Sequence, residues 1–198
     1  VFLVINVDLP MTKQENNLDL ALIMCPAWGV EQPPIGISYL KSFLGNFGIK
    51  VKCFDLSVEL YKIFPEKKYW DLNYPEYFIT SSLFENDILP VLTPYIDIWV
   101  RRILNFNPKA VGFSLFMSSA NASLALARRF KEISPDLKII GGGPEVTRMK
   151  RILVDGVRQF ASLNMGFIAG NIFDVLVYGE GEEALLEILS LIKEGRYS

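Results

Sequence analysis

Ile139–Thr147 reads IIGGGPEVT, an apolar run that meets three glycines and a proline. Lys138 to Ile140 read as the end of a buried parallel strand. Gly141, Gly142 and Gly143 have no side chain to keep a ligand off the backbone, and they tolerate positive φ. Pro144 fixes a turn, and Thr147 is placed to cap the helical pattern that follows. Open α/β sheets bind ligands where a strand stops in glycines before a helix. A tight strand-to-helix turn without any ligand has the same composition, so the stretch fixes the element order and leaves binding open.

Working outward, Lys109–Leu115 (KAVGFSL) is a strand ending at Ser114. Asn121 is read as the cap of a helix whose Ala122, Leu126, Phe130 and Ile133 face inward, and Ser134–Pro135 closes it. Thr147–Leu163 carries Met149, Ile152, Leu153, Val157 and Phe160 at helical spacing. Asp174–Val177 is a strand followed by YGEGEEA. The last helix runs from Glu182 to about Glu194, with an acidic first turn that suits the helix dipole.

Toward the amino end, Asp19–Met24 (DLALIM) is nearly all apolar, as in a strand covered on both faces. It runs into CPAWGVEQPP. A helix from about Ile35 to Phe47 follows, striped by Ile37, Leu40, Leu44 and Phe47, with Gly48 as its stop. Ile49–Phe54 is the next strand, giving a right-handed βαβ unit. The opening VFLVINVDLP reads as a strand or a docked arm.

Leu56 to about Trp99 breaks this rhythm, with eight aromatics between Tyr61 and Phe84 and prolines at 65, 75, 90 and 94. It reads as an insertion of short helices and loops, its aromatics forming the core of a small subdomain or else a lid or docking surface. A helix from Thr93 to Phe106 leads back to the sheet. Five β–α units without an internal repeat predict an α/β fold: a doubly wound, mostly parallel, five-stranded sheet of flavodoxin-like or Rossmann-like type. The chain reads as one domain over 1–198, with a core at about 19–195 and an aromatic-rich helical insertion at about 56–99.

Composition narrows the chemistry. With 51% hydrophobic and 21% charged residues the chain is globular, and a net charge of −2 without a Lys/Arg run leaves no nucleic-acid footprint. Arg148, Lys150 and Arg151 are the densest basic group and read as a solvated helix face. No apolar run approaches the ~20 residues that span a bilayer, and the expectation is a soluble, cytoplasmic protein. Cys25 and Cys53, the two cysteines, are too few for a disulfide framework and are not spaced as a metal knuckle. The chain has no histidine. That removes the commonest general base, the Ser–His and Cys–His pairs and the usual transition-metal ligand. Activity must come from carboxylates, from a bound cofactor, or from a part of the protein outside this sequence.

The loops after Met24, Leu115, Ile140 and Val177 share the carboxyl edge of such a sheet. They read CPAWGVEQPP, FMSSAN, GGGPEVT and YGEGEEA. Small residues flanked by Trp28, Phe116 and Met117 describe a broad, shallow trough suited to a large flat ligand. The glycines match neither GxGxxG nor GxxxxGK[ST], and YGEGEE would repel a phosphate. A flavin fits the architecture but finds no phosphate-binding Ser/Thr loop after the first strand. Glu180, Glu182 and Glu183 could form an acid/base set, although the last two are equally ordinary first-turn residues.

PPIGISYLKSFLGNFGIKVKCFD, VGFSLF, IIGGGPEVT and DVLVYGEGEEALLEIL, in this order and spacing, resemble the cobalamin-binding domain of class B radical S-adenosylmethionine enzymes. The resemblance covers Asp19 to Glu194. It implies a Rossmann-like domain holding cobalamin at the carboxyl edge, followed by a barrel with an iron–sulfur cluster and S-adenosylmethionine. Carried onto this chain, Trp28 and Gly29 would sit against the corrin face. Ser114 and Ser118 would line the slot for the nucleotide tail beside Phe116, bounded by Gly142, Gly143 and Pro144. Gly179, Glu180 and Gly181 would form the far wall, toward the barrel.

Two departures follow. The cluster motif CxxxCxxC is absent, so this chain alone does not perform radical chemistry. It reads as the excised N-terminal part of a longer enzyme or as a stand-alone binding protein, and the ending at Arg196–Ser198 directly after a helix favours the first. The cobalt would also lack a protein imidazole; Glu31 or Gln32 is the available neighbour for its lower face. The competing reading is a non-catalytic scaffold or partner-docking domain that keeps the fold without the cofactor. An insertion folded over the rim, filling the trough with Trp70 or Phe84, would favour that alternative.

Overall fold

The computed structural model describes residues 17–64, 67–70, 75–154 and 172–197, without the side chains of 150–154. The apolar runs form five strands: β1 (Leu20–Met24), β2 (Val51–Asp55), β3 (Ala110–Ser114), β4 (Lys138–Gly142) and β5 (Val175–Leu176). All neighbours are parallel, in the order β2-β1-β3-β4-β5. This is the flavodoxin-like order, whose connections reverse direction between β1 and β3.

Alternation along each strand sends side chains to opposite faces. One face carries Ala21, Ile23, Val111, Phe113 and Ile139 into a large apolar cluster with helices α2 (Leu56–Ile63), α5 (Leu89–Leu104), α6 (Ala120–Ile133) and α7 (Pro144–Val154). The other carries Leu20, Leu22, Met24 and Ile140 toward α1 (Ile35–Gly45) and α8 (Glu182–Lys193). Gly48, with φ of 72°, lets the chain turn from α1 into β2. Lys52 on β2 lays its ammonium 3.7 Å from the Phe106 ring centroid.

The insertion is part of the main core rather than a separate subdomain. After α2 come a short 3₁₀ turn (Lys67–Trp70), α3 (Glu76–Ile79) and α4 (Ser81–Leu83), which runs through a π turn into α5. Trp70 stands edge-on to Tyr61 and Phe64 and tilted on Phe78, which meets Phe84. Phe64, Phe78 and Phe84 belong to the cluster that covers the sheet.

Several local expectations are corrected. The helix expected from Thr93 starts at Leu89 and contains Pro94. The ~3 kcal/mol cost of an interior proline is set against burial of Leu92, Ile96, Trp99, Val100 and Ile103. Helix α6 is preceded by Ser119, not capped by Asn121. Asn121 is buried and its amide donates to the carbonyls of Phe78 (2.8 Å) and Ile79 (3.1 Å), fastening the insertion to the sheet layer. Helix α7 begins at Pro144, so Thr147 lies inside it and caps nothing. The opening Val1–Leu9 and residues 155–163 of the expected helix lie outside the described residues.

Candidate functional site

The carboxyl ends of the strands are joined to one another by their loops. Ser118 donates from Oγ to the Ala27 carbonyl (2.6 Å), and the Ala27 N–H donates back to the Ser118 carbonyl (3.1 Å). The Trp28 N–H donates to Ser57 Oγ, which returns its proton to the Trp28 carbonyl (2.7 Å). The Leu115 N–H donates to the Gly142 carbonyl, and the Glu145 N–H to the Leu115 carbonyl. These bonds satisfy loop groups that would otherwise need water, and they hold the rim in one shape.

Beneath this rim, on the α1/α8 face, lies a cavity of about 580 Å³. Its floor is a row of small residues on adjacent strands. Gly112 on β3 stands between Leu22 and Ile140, and one step on, Ser114 pairs in register with Gly142. Ile35, Gly36, Tyr39 and Leu40 of α1 form one wall. Gly143 and Pro144 form the opposite lip, and Gly179, Glu180, Gly181 and Glu182 close the side toward α8. Ile35 and Tyr39 are 73% and 58% exposed, so the mouth is apolar as well as the floor.

The three consecutive glycines serve three different ends. A Cβ on Gly141 would stand 2.8 Å from Leu176 Cδ2 on the filled face, so this glycine is demanded by packing. A Cβ on Gly142 would meet only Val177, at 3.6 Å or more, and its absence widens the cavity floor. Gly143 has φ of +104° and would bring a Cβ to 2.9 Å from the Leu115 carbonyl oxygen; its reason is the turn.

Of the residues singled out from sequence, Ser114, Phe116, Gly142, Gly143, Pro144, Gly179, Glu180 and Gly181 line the cavity together. Trp28, Gly29 and Ser118 stand outside the lining. Trp28 packs on the neighbouring loop, 4.3 Å from the Phe116 ring centroid at a tilt of 42°, and Phe116 is the ring of the two that lines the cavity. Sequence reasoning missed Gly112, Ile35, Tyr39 and Leu40. A glycine inside an apolar strand was the available signal for Gly112, since such a residue marks close approach of backbone or ligand. Neither Trp70 nor Phe84 of the insertion lines the cavity.

The two thiols and the most buried carboxylate are each held in one state by their surroundings. Burial pushes the Cys25 thiol up to about 12, opposed in part by Ser123, and burial also raises Cys53 against the opposing charge of Lys41. Neither is poised as a thiolate at neutral pH. Glu145 is buried, but Arg148 holds it through two hydrogen bonds of 2.8 and 2.6 Å, a bidentate pair that also raises the Arg148 guanidinium. Among the described residues no three His, Cys, Asp or Glu side chains are grouped to hold a metal ion. No helix among them is long and apolar enough to cross a membrane.

No family model and no curated protein matches the sequence. Among solved structures, the chain is similar to the radical S-adenosylmethionine methyltransferase TsrM from Kitasatospora setae, determined with cobalamin and a [4Fe-4S] cluster bound. That superposition has a TM-score of 0.50 at 18% identity, covering 90% of this chain and 25% of TsrM. A second TsrM structure, with tryptophan and a SAM analogue bound, gives 0.49 at 18% identity, over 90% and 26%. The chain thus spans about a quarter of the length of the enzyme it matches. At this identity the likeness establishes a shared α/β fold.

Proposed function

We propose that this chain is a cobalamin-binding domain of a radical S-adenosylmethionine enzyme. The observation that carries the reading is the cavity of about 580 Å³, floored by Gly112, Ser114 and Gly142, beside the point where the sheet connections reverse. Ligands of doubly wound sheets bind at that crevice. The likeness to TsrM, whose structure holds cobalamin, supports the same reading.

The residues fit the group. A side chain on Gly142 would project into space that a slender aromatic portion needs, Gly112 keeps the floor low where Leu22 already closes over it, and Ile35, Tyr39 and Phe116 offer apolar surface around it. The Ser114 hydroxyl and the Glu180 carboxylate supply polar contacts at the edge. When bound, cobalamin supplies a methyl carrier or an electron relay. The chain's own residues orient it and keep water from its buried portion, with Trp28 and Ser118 acting from behind by fixing the first loop and Phe116, and Gly29 leaving that loop's tip free of a side chain. With no histidine in the sequence, the chain offers cobalt no imidazole. S-adenosylmethionine, the iron–sulfur cluster and the barrel that holds them belong, in this reading, to the rest of the parent protein.

The test is a titration of the chain with hydroxocobalamin, followed by desalting and visible absorption. Stoichiometric retention is expected, with loss in Ser114→Trp, which places an indole over the cavity floor. A chain that is folded yet retains no cobalamin at millimolar concentrations would overturn the reading in favour of a domain that keeps the fold without the cofactor.

A further inference from the structure

Two glycine turns, distant in sequence, meet on one hydroxyl. Thr147 Oγ1 donates to the Gly143 carbonyl at 3.3 Å and accepts from the Gly179 N–H at 3.0 Å. Gly143 belongs to the cavity lip opposite α1, and Gly179 to the adjoining side toward α8. Both have left-handed backbones, with φ of +104° and +80°. Thr147 does not line the cavity itself.

Packing does not place Gly179. It is exposed, and a Cβ built on it would have nothing within 4 Å. The turn is secured before this point by the Val177 N–H donating to the Gly141 carbonyl (2.7 Å). Beyond it, Gly181 sits 3.5 Å from Leu40 Cδ2 when its Cβ position is considered. Between these points, the Thr147 hydroxyl gives the Gly179 N–H its hydrogen bond and so ties the backbone there to helix α7. Helix α7 starts in the first turn and carries Thr147, so it ties the second turn to the first.

We propose that Thr147 is a positioning residue: its hydroxyl couples the GGGP turn to the YGEGE turn and so sets how far the second turn stands over the cavity mouth. This rests on reading the cavity as the cobalamin site, and it adds a residue that acts on the ligand only through the loop it holds. Because the bond is exposed, its loss should disturb global stability little and the local geometry more.

The test compares Thr147→Val, which keeps the shape and loses the hydroxyl, with Thr147→Ser, which keeps the hydroxyl. In the ligand-free chain, hydrogen exchange at the Gly179 amide should speed up by about three- to tenfold in Thr147→Val, as expected for loss of one net hydrogen bond. Hydroxocobalamin should bind that variant more weakly by a similar factor at an unchanged melting temperature, and Thr147→Ser should restore both readings. Unchanged Gly179 exchange in Thr147→Val would overturn the proposal whether or not cobalamin binds. Faster exchange with undiminished cobalamin affinity would overturn it too, since the turn would then not set the mouth. Failure of the wild-type chain to bind cobalamin would instead remove the site reading, leaving the exchange result to decide whether the two turns are coupled.

Discussion

On one face of the sheet, Ile23, Val111, Phe113 and Ile139 meet Phe130, Phe173 and the aromatic insertion in a continuous core. On the other, the same strands present Leu22, Gly112, Ser114, Ile140 and Gly142, and part of the space between them and α1 is left open. One residue of register separates the two sets. A parallel sheet covered on both faces can therefore concentrate its packing on one side and keep a hollow on the other. The aromatic insertion, whose rings join the filled side, strengthens the packed layer without touching the cavity.

The sharpest way to break this contrast is to remove bulk from the filled face. Phe130 is fully buried and stands edge-on to Phe113. Phe130→Ala should cost about 3–5 kcal/mol in urea unfolding, while cobalamin retention by the folded fraction stays unchanged. A comparable loss of cobalamin would mean that the two faces are not independent.

A finer test uses adjacent glycines that point to opposite faces. Gly141→Ala forces a methyl group against Leu176, Leu115 and Phe173 and should cost about 1–3 kcal/mol by overpacking. Gly142→Ala has room on its side and should stay within about 0.5 kcal/mol, as a methyl without a clash does. Equal costs would sink the comparison.

The smallest expected effect lies at the amino edge, away from both faces. Asp19 Oδ1 accepts from Lys109 Nζ (2.8 Å) and Oδ2 from the Lys50 N–H (2.9 Å). Burial pushes its carboxyl upward, but the bonds to Lys109 and the Lys50 amide outweigh that and hold it below the ordinary 3.8. A depressed acid contributes stability that is complete above its unfolded value and lost as pH falls through the folded one. Acid unfolding should therefore begin below about pH 4, the usual carboxylate range, and be shallower in Asp19→Asn. Identical acid profiles for the two proteins would remove Asp19 as the cause.

The strand order and the layers were legible because apolar runs such as DLALIM and KAVGFSL end in glycine- or small-residue loops, and a fivefold repetition of that pattern has few topologies. The rim of the site was legible for the same reason. Its depth was not. Gly112 was read as one more strand residue, since sequence alternation does not tell which face its missing side chain vacates. Thr147 and Asn121 were misread as caps because threonine and asparagine before a helical pattern are ordinary caps; the partners they use, Gly179 and Phe78, are 32 and 43 residues away. Trp28 was set against the corrin face by the resemblance alone; in the fold Ser57 holds both of its backbone groups and its ring packs on Phe116, contacts between loops that no spacing in the sequence announces.

The cation of Lys52 has a consequence for how concentrated this protein can become. Strand β2 is the outer member of the described sheet, and an outer strand offers its free amides and carbonyls to any neighbouring chain. Lys52, the second residue of that strand, holds its ammonium over Phe106, and a second chain pairing along the edge would bring its own side chains close to that charge. Charged residues on outer strands discourage edge-to-edge pairing, and Lys52→Val should lower the concentration at which the chain self-associates, as read by light scattering.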